Sequence, residues 1–214
     1  MMSVEVKICG LKTPAALEAA LAGGADYVGL VFFPPSPRNV TPETAAALAA
    51  KARGRARIVA LTVDPDDALL DAIVAAAAPD LVQLHGDETP ERVAEIRGRW
   101  GRRIIKAVPV ETAGDVQEAR RYQAVADLVL FDARAPATST RPGGNGAPFD
   151  WRSLLGLEDG LPFVLSGGLT PDNVADAIRL TGAAVVDVSS GVESRPGEKD
   201  PDLIRRFLRA AKGV

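Results

Sequence analysis

The sequence predicts an α/β protein that folds as a single (β/α)8 barrel, the TIM-barrel architecture, and three observations support this. The length of 214 residues suits one larger domain and leaves little room for two. Short apolar runs rich in Val, Ile, Leu and Phe recur at starts about 22 to 35 residues apart. Alanine-rich segments with helix-start signals separate these runs, and eight such repeats match the arithmetic of a compact barrel.

The eight apolar runs are the predicted strands. Each is short and continuous, which is typical of a strand covered on both faces of a parallel sheet. They are Val4–Cys9, Tyr27–Phe32, Arg57–Thr62, Asp80–Leu84, Arg103–Ala107, Asp127–Phe131, Pro162–Ser166 and Ala184–Val188. A doubly wound open sheet would use the same strands and is the alternative architecture.

Six helix starts are marked by a capping residue followed by proline, most with an acidic residue in the first turn. They are Thr13-Pro14, Thr41-Pro42-Glu43, Asp64-Pro65-Asp66, Thr89-Pro90-Glu91, Thr170-Pro171-Asp172 and Asp200-Pro201-Asp202. The stretch Arg134–Pro148 is rich in Ala, Pro, Thr, Ser and Gly, and we expect a long loop there after the sixth strand. No linker composition interrupts the chain, so residues 1–214 are expected to form one catalytic domain.

Composition excludes several classes of partner. The 25 Lys and Arg residues nearly balance 28 Asp and Glu residues, so neither nucleic acid nor an anionic membrane is an expected partner. No apolar run approaches the ~18 residues of a membrane span. The N-terminus lacks a secretory signal pattern, and the one cysteine fits a reducing compartment, so we expect a cytoplasmic protein. The single histidine excludes a polyhistidine zinc site, and no metal or cofactor is expected.

The functional groups of such a barrel lie at the C-terminal ends of its strands and in the loops that follow. Two neighbouring loops carry Gly167 and Gly168 after the seventh strand and Ser189, Ser190 and Gly191 after the eighth. Backbone N–H groups and hydroxyls there predict a phosphate site, because these loops often bind phosphate in barrels. The alternative for Gly167 and Gly168 is a tight turn between strand and helix.

Cys9 and Asp132 are the candidate catalytic residues. Cys9 ends the first strand on its inward face, which it shares with Lys7, and a nearby ammonium would favour its thiolate. The alternative is a small buried hydrophobic residue. Asp132 places a carboxyl group at the end of the sixth strand, where it suits a general acid. The alternatives for Asp132 are a helix cap and an ion pair with Arg134.

Three further residues are candidate substrate contacts. Arg38 follows a proline-rich stretch, and its guanidinium would suit a carboxylate of the substrate; the alternative is a merely exposed arginine. His85 is expected to contact substrate or to be structural. Asp187 points inward and either pairs with Lys7 or binds a sugar hydroxyl. A phosphate site, a thiol and an acid without metal or dinucleotide motif suit the isomerisation of a small sugar phosphate.

These residues lie in motifs that resemble the phosphoribosylanthranilate isomerase family of tryptophan biosynthesis along nearly the whole chain. The motifs are Lys7-Ile8-Cys9-Gly10, Gly29-Leu30-Val31-Phe32, Ser36-Pro37-Arg38, Gln83-Leu84-His85-Gly86, Asp132, Gly143-Gly144-Asn145-Gly146, Phe149-Asp150-Trp151, Leu165-Ser166-Gly167-Gly168-Leu169, Asp187-Val188-Ser189-Ser190-Gly191-Val192-Glu193 and Gly197-Glu198-Lys199-Asp200. Asn145 departs from the family, which usually has threonine there, and bears on loop closure rather than on chemistry.

The resemblance implies an Amadori rearrangement of N-(5-phosphoribosyl)anthranilate without a cofactor. It implies that Asp132 is the general acid that protonates the ring oxygen and that Cys9 is the general base that removes the C2 proton. Arg38 would hold the anthranilate carboxylate and Asp187 a ribose hydroxyl. The glycines and serines of the last two loops would hold the phosphate.

Three other functions stay open on the sequence alone. Another sugar-phosphate barrel enzyme, such as an indole-glycerol-phosphate synthase or a ribulose-phosphate epimerase, would share the phosphate site. An isomerase that also serves histidine biosynthesis would need a second phosphate site, which the acidic residues Asp87 and Glu88 disfavour. A non-catalytic barrel would bind phosphorylated ligands without turnover. The sequence does not distinguish a monomer from a homodimer.

Overall fold

Eight parallel strands form a closed barrel in this computed structural model, which describes residues 4–135, 143, 149–155, 157 and 161–214. The strands pair in chain order, and β1 pairs with β8 to close the ring, so the predicted (β/α)8 fold is confirmed. Their bounds are β1 Glu5–Cys9, β2 Tyr27–Phe32, β3 Arg57–Thr62, β4 Leu81–Leu84, β5 Arg103–Val110, β6 Leu128–Ala133, β7 Phe163–Leu165 and β8 Val185–Val188. A short antiparallel hairpin, β9 Glu193–Arg195 and β10 Glu198–Lys199, follows β8.

The described part of the chain contains seven α-helices. They are α1 Pro14–Ala22, α2 Pro42–Ala52, α3 Asp67–Ala77, α4 Pro90–Trp100, α5 Ala113–Glu118, α6 Val174–Thr181 and α7 Pro201–Lys212. Four of the six predicted starts are correct, because Thr13, Thr41, Thr89 and Asp200 each cap a helix whose first residue is proline. None of the described helices is long and apolar enough to cross a membrane.

Two predicted helix starts are wrong. At Asp64-Pro65-Asp66 the cap is Asp66, whose carboxylate accepts from Leu69 N at 2.8 Å. Asp64 instead has a φ of 45° and accepts from Asp87 N, so it links the loops after β3 and β4.

At Thr170-Pro171-Asp172 the helix begins later, with Asn173 as its cap. The Asn173 amide bonds to Thr170 N and Gly168 O, so this segment forms a turn held back toward β7.

The connection after β6 differs from the regular repeat. In the described residues it contains a short 3-10 helix, Trp151–Leu154, and no α-helix. Most of the predicted loop Arg134–Pro148, including Asn145, lies outside the described residues.

Alternation along the strands separates two apolar layers. One layer packs between strands and helices, and the other fills the barrel. The interior layer consists of Tyr27, Val59, Leu81, Ile105, Ala107, Leu128, Leu130, Val164 and Val185. The next inward positions toward the C-terminal end of the barrel include Cys9, Gln83, Asp132 and Asp187, so polar groups collect above an apolar floor.

The opposite rim of the barrel carries a repeated aspartate contact. Asp26, Asp80 and Asp127 each precede an even-numbered strand and accept the backbone N–H of the odd-numbered strand before it, at 2.7–2.8 Å. Each also donates its own N–H to the same residue, at 2.9 Å. We call these three pairings the rim clamps. The equivalent position before β8 is Ala184.

Candidate active site

One cavity opens at the C-terminal ends of the strands. Its lining includes every site residue predicted from the sequence: Cys9, Arg38, His85, Asp132, Gly167, Gly168, Asp187, Ser189, Ser190 and Gly191. Gln83, Ser36 and Gly143 also line it. The barrel therefore brings residues from seven separate parts of the sequence to one surface, as its topology requires.

Cys9 lies in a buried cluster with two charged groups. Lys7 Nζ donates to Asp187 Oδ1 at 3.0 Å across the β1–β8 pairing, so the predicted Lys7–Asp187 pair is present. Gly29 lies opposite Cys9 on β2, and a Cβ there would come within 3.0 Å of Cys9 Sγ and 3.3 Å of Lys7 Nζ. The missing side chain of Gly29 thus gives thiol and ammonium room to approach each other.

Burial dominates the acidity of this thiol. It raises the pKa of Cys9 above the ordinary value, and Lys7 opposes the shift without cancelling it. Burial also disfavours the Lys7 ammonium, but Asp187 and the Cys9 thiolate outweigh that effect and raise the pKa of Lys7. The expectation that a neighbouring ammonium would favour the thiolate therefore has the right direction, while desolvation sets the net result.

Asp132 faces His85 within the cavity. It lies inside β6, one residue before the strand ends, and its Oδ2 is 3.4 Å from His85 Nε2. The proposed alternative partner Arg134 pairs with Asp115 and Glu111 instead. Gly143 approaches so closely that a Cβ there would lie 2.6 Å from both Asp132 Oδ2 and His85 Nε2.

Gln83 orients the histidine ring from the other side. Its Nε2 lies 3.0 Å from His85 Nδ1, and in this arrangement Nδ1 accepts while Nε2–H points to Asp132. Gln83 is fully buried, and its Oε1 has no partner within the described part of the chain. The barrel interior thus holds an ordered series, Gln83, His85 and Asp132, that ends at the candidate acid.

Arg38 is buried rather than exposed. Its Nε and Nη2 donate to the two carboxylate oxygens of Glu193 at 2.8 and 2.9 Å. Lys199 donates to the same carboxylate at 2.6 Å. Burial alone would raise the pKa of Glu193, but the two cations hold it at about 2; burial lowers the pKa of Lys199 to about 8 despite that carboxylate.

The two predicted phosphate loops touch each other. A Cβ at Gly191 would lie 1.9 Å from Leu169 O, so only glycine allows the loop after β8 to pack against the loop after β7. Gly167 and Gly168 both have positive φ, of 79° and 70°. Ser189 Oγ donates to Cys9 O at 3.3 Å, which links this surface to β1.

Sequence reasoning assigned no role to Gln83, Gly29, Glu193 or Lys199. Their closeness to the end of β8 is a signal that Glu193 and Lys199 lie near the site. That signal does not identify the partner of Glu193, which is Arg38, 155 residues away in the chain. Only the closed barrel brings them together. No group of three or more His, Cys, Asp and Glu within the described residues is arranged to hold a metal ion.

Comparison with known proteins gives consistent results. Residues 6–210 match the sequence-family model of N-(5′-phosphoribosyl)anthranilate (PRA) isomerase. A protein of that name from Rhodopseudomonas palustris strain BisA53 is 61% identical over 213 residues, covering 100% of this chain and 98% of the relative.

Solved structures agree with the family comparison. A phosphoribosyl anthranilate isomerase in complex with reduced 1-(o-carboxyphenylamino)-1-deoxyribulose 5-phosphate has a TM-score of 0.86 and 35% identity, covering 99% of this chain and 100% of that one. Monomers generated from the dimeric enzyme of Thermotoga maritima have a TM-score of 0.85 and 35% identity, with the same coverage.

Proposed function

The chain belongs to the PRA isomerase family of tryptophan biosynthesis, and on this premise we propose that Cys9 and Asp132 carry out its Amadori rearrangement in the cavity. This is the family that the sequence motifs resemble, and its members are aldose–ketose isomerases. The substrate is N-(5′-phosphoribosyl)anthranilate and the product is 1-(2-carboxyphenylamino)-1-deoxyribulose 5-phosphate.

The position of the phosphate loops between acid and base is the observation that carries this proposal. Asp132 lies on β6 and Cys9 on β1, and only β7 and β8 separate these two strands around the barrel. The loops that follow β7 and β8 contain Gly167, Gly168 and Ser189 to Gly191. A phosphate bound there would place the attached ribose between the two catalytic groups.

Asp132 acts first, as the general acid. It gives a proton to the ring oxygen of the furanose, the bond from that oxygen to C1 breaks, and a protonated Schiff base forms. The Nε2 of His85, 3.4 Å from Asp132 Oδ2, keeps the carboxyl group oriented toward the cavity.

Cys9 then acts as the general base. Its thiolate removes the C2 proton and gives the enolamine, which becomes the ketone when C1 gains a proton and the C2 hydroxyl loses one. The protons lost by Asp132 and gained by Cys9 balance over the cycle, so the isomerisation needs no external acid, base or oxidant. Lys7 stabilises the thiolate, because it is the ammonium group beside a buried thiol.

Two further cavity residues contact the anthranilate and ribose parts of the substrate. Arg38 holds the anthranilate carboxylate, and Asp187 accepts from a ribose hydroxyl while it pairs with Lys7.

A phosphorylated small molecule is thus the partner, and the protein acts as a monomer or homodimer. The cytoplasm is the expected location, because the Cys9 thiol has to stay reduced to act as a base.

The test follows the loss of anthranilate-type fluorescence from freshly prepared substrate, with a chelator present. The wild-type protein should remove the signal rapidly, and Cys9→Ala or Asp132→Ala should each reduce turnover by at least ~10²-fold, within the ~10²–10⁴-fold that general acid–base groups supply. Cys9→Ser should lose less than Cys9→Ala. Near-normal turnover in either alanine variant would remove that residue from the mechanism, and no signal loss by wild type would contradict the activity.

A further inference from the structure

We propose that Glu193 is the positioning residue for both anionic ends of the substrate site, holding Arg38 directly and Ser189 through Lys199. This inference rests on the proposed function, in which Arg38 binds the substrate carboxylate and the loop after β8 binds the phosphate. Glu193 contacts neither end itself. Its position in the β9–β10 hairpin, directly after the phosphate loop, lets one carboxylate reach both anchors.

The contact between Glu193 and Arg38 fixes a guanidinium plane. Two parallel N–H···O bonds, at 2.8 and 2.9 Å, use two of the five N–H groups of Arg38. The side-chain stem is confined as well, because a Cβ at Gly10 would lie 2.7 Å from Arg38 Cδ. The stem of the Arg38 side chain and one edge of its guanidinium are therefore both held, which fixes the orientation of the guanidinium relative to the cavity.

The contact between Glu193 and Lys199 fixes the start of the phosphate loop. Lys199 Nζ donates to Glu193 Oε1 at 2.6 Å, to Ser189 O at 2.9 Å and to Ser189 Oγ at 3.2 Å. An ammonium has three protons, so this set occupies all of them. Gly197 N also donates to Glu193, at 3.1 Å, which closes the hairpin around the carboxylate.

Charge explains why a carboxylate is needed here. The side chains of Arg38, Glu193 and Lys199 expose only 6%, 3% and 2% of their surface. Two buried cations without an anion between them would repel each other, which is strongly unfavourable. With the pKa of Glu193 at about 2, its carboxylate stays ionised and keeps both cations in place at neutral pH.

The experiment compares the binding of two ligands. One is reduced 1-(o-carboxyphenylamino)-1-deoxyribulose 5-phosphate, and the other is the same molecule without its carboxylate. The ratio of their dissociation constants measures how well Arg38 is engaged, independently of turnover. Wild type should bind the carboxylated ligand at least ~10-fold more tightly, because the second ligand cannot form the charge-assisted pair with Arg38.

In Glu193→Gln the ratio should fall to within about threefold of unity. Glu193→Asp keeps the charge but is one methylene too short for the same two-point contact, so it should lower the ratio too; it also serves if Glu193→Gln fails to fold. Lys199→Met should weaken both ligands by a similar factor and leave the ratio high, because it loosens Ser189 while Glu193 still holds Arg38.

Glu88→Gln is the matched control. Glu88 is another buried carboxylate with a buried ammonium partner, Lys106, at 2.9 Å, and both side chains are 2% exposed. Its removal costs stability but should leave the ligand ratio at the wild-type level. A wild-type ratio near unity would contradict the role of Arg38 in the proposed function. A high wild-type ratio that persists in both Glu193 variants would overturn the positioning role alone.

Discussion

At the scale of single residues, Cys9 and Lys7 set each other's ionisation. The thiol is buried, so its pKa lies above the ordinary 9.0 and the thiolate is a minor species at neutral pH. Lys7 is the first of the groups that oppose this shift. Without the Lys7 ammonium, burial and the Asp187 carboxylate would raise the pKa of Cys9 with only Lys199 opposing them, and the thiol would become a still weaker acid.

The ionisation of Cys9 can be measured directly, because it is the only cysteine in the chain. Thiolate absorbance in the ultraviolet should show a midpoint above pH 9 in wild type, and Lys7→Met should move that midpoint higher. Lys106→Met is the control, since Lys106 is equally buried but pairs with Glu88. An unchanged midpoint in Lys7→Met would show that Lys7 does not stabilise the thiolate.

Single residues also mark the limit of what the sequence predicts. The places of Cys9, Asp132 and the loop glycines could be predicted, because functional residues of such a barrel lie at the C-terminal ends of its strands and in the loops that follow. The contact between Arg38 and Glu193 could not be predicted, because barrel closure alone brings these two residues together. The effect of burial on the pKa of Cys9 likewise depends on tertiary packing and cannot be predicted from the neighbouring sequence.

At the scale of elements, caps and clamps determine where strands and helices meet. Four helix starts followed from Thr-Pro and Asp-Pro pairs, because the cap and proline preferences act within one turn. The starts at Asp66 and Asn173 did not, since contacts with neighbouring loops redirect Asp64 and hold the turn before Asn173. The rim clamps likewise depend on contacts between different strands.

Loss of one rim clamp should destabilise the barrel without changing turnover. Asp127→Ala leaves the N–H of buried Ile104 without its 2.8 Å partner and removes ion pairs to Arg97 and Arg103. We expect a loss of about 1–3 kcal/mol in the free energy of unfolding, measured by urea titration. Asp127→Asn keeps an acceptor oxygen for this N–H, so it should lose less of the free energy of unfolding than Asp127→Ala. Turnover should stay at the wild-type level, and a large drop would contradict this division between the two rims.

At the scale of the whole molecule, the closed ring was predictable because its signals repeat along the chain. Eight apolar runs and their spacing do not depend on any one boundary, so errors of up to three residues at strand ends left the topology unaffected. The connection after β6 is the least regular part: its described residues contain a 3-10 helix and no α-helix, and most of the predicted loop lies outside them.

Acid stability of the whole molecule should reflect Glu193. Its pKa is about 2 in the folded protein against an ordinary 4.5, so its contribution to stability is fully present above about pH 4.5. That contribution, on the order of 3 kcal/mol, is lost as the pH falls toward about 2. Glu193→Gln should therefore show a shallower loss of stability over this range in denaturant titrations at fixed pH. An equally steep loss would assign the acid sensitivity to other carboxylates.

The rim clamps also decide where the polypeptide tolerates new ends. Each clamp joins an odd-numbered strand to the even-numbered strand that follows it, through Asp26, Asp80 or Asp127. A circular permutation that opens the chain after β2, β4 or β6 keeps every clamped pair within one continuous segment. An opening inside α1, α3 or α5 instead splits a clamped pair, so that its two strands lie at opposite ends of the new chain and have to pair as separate ends.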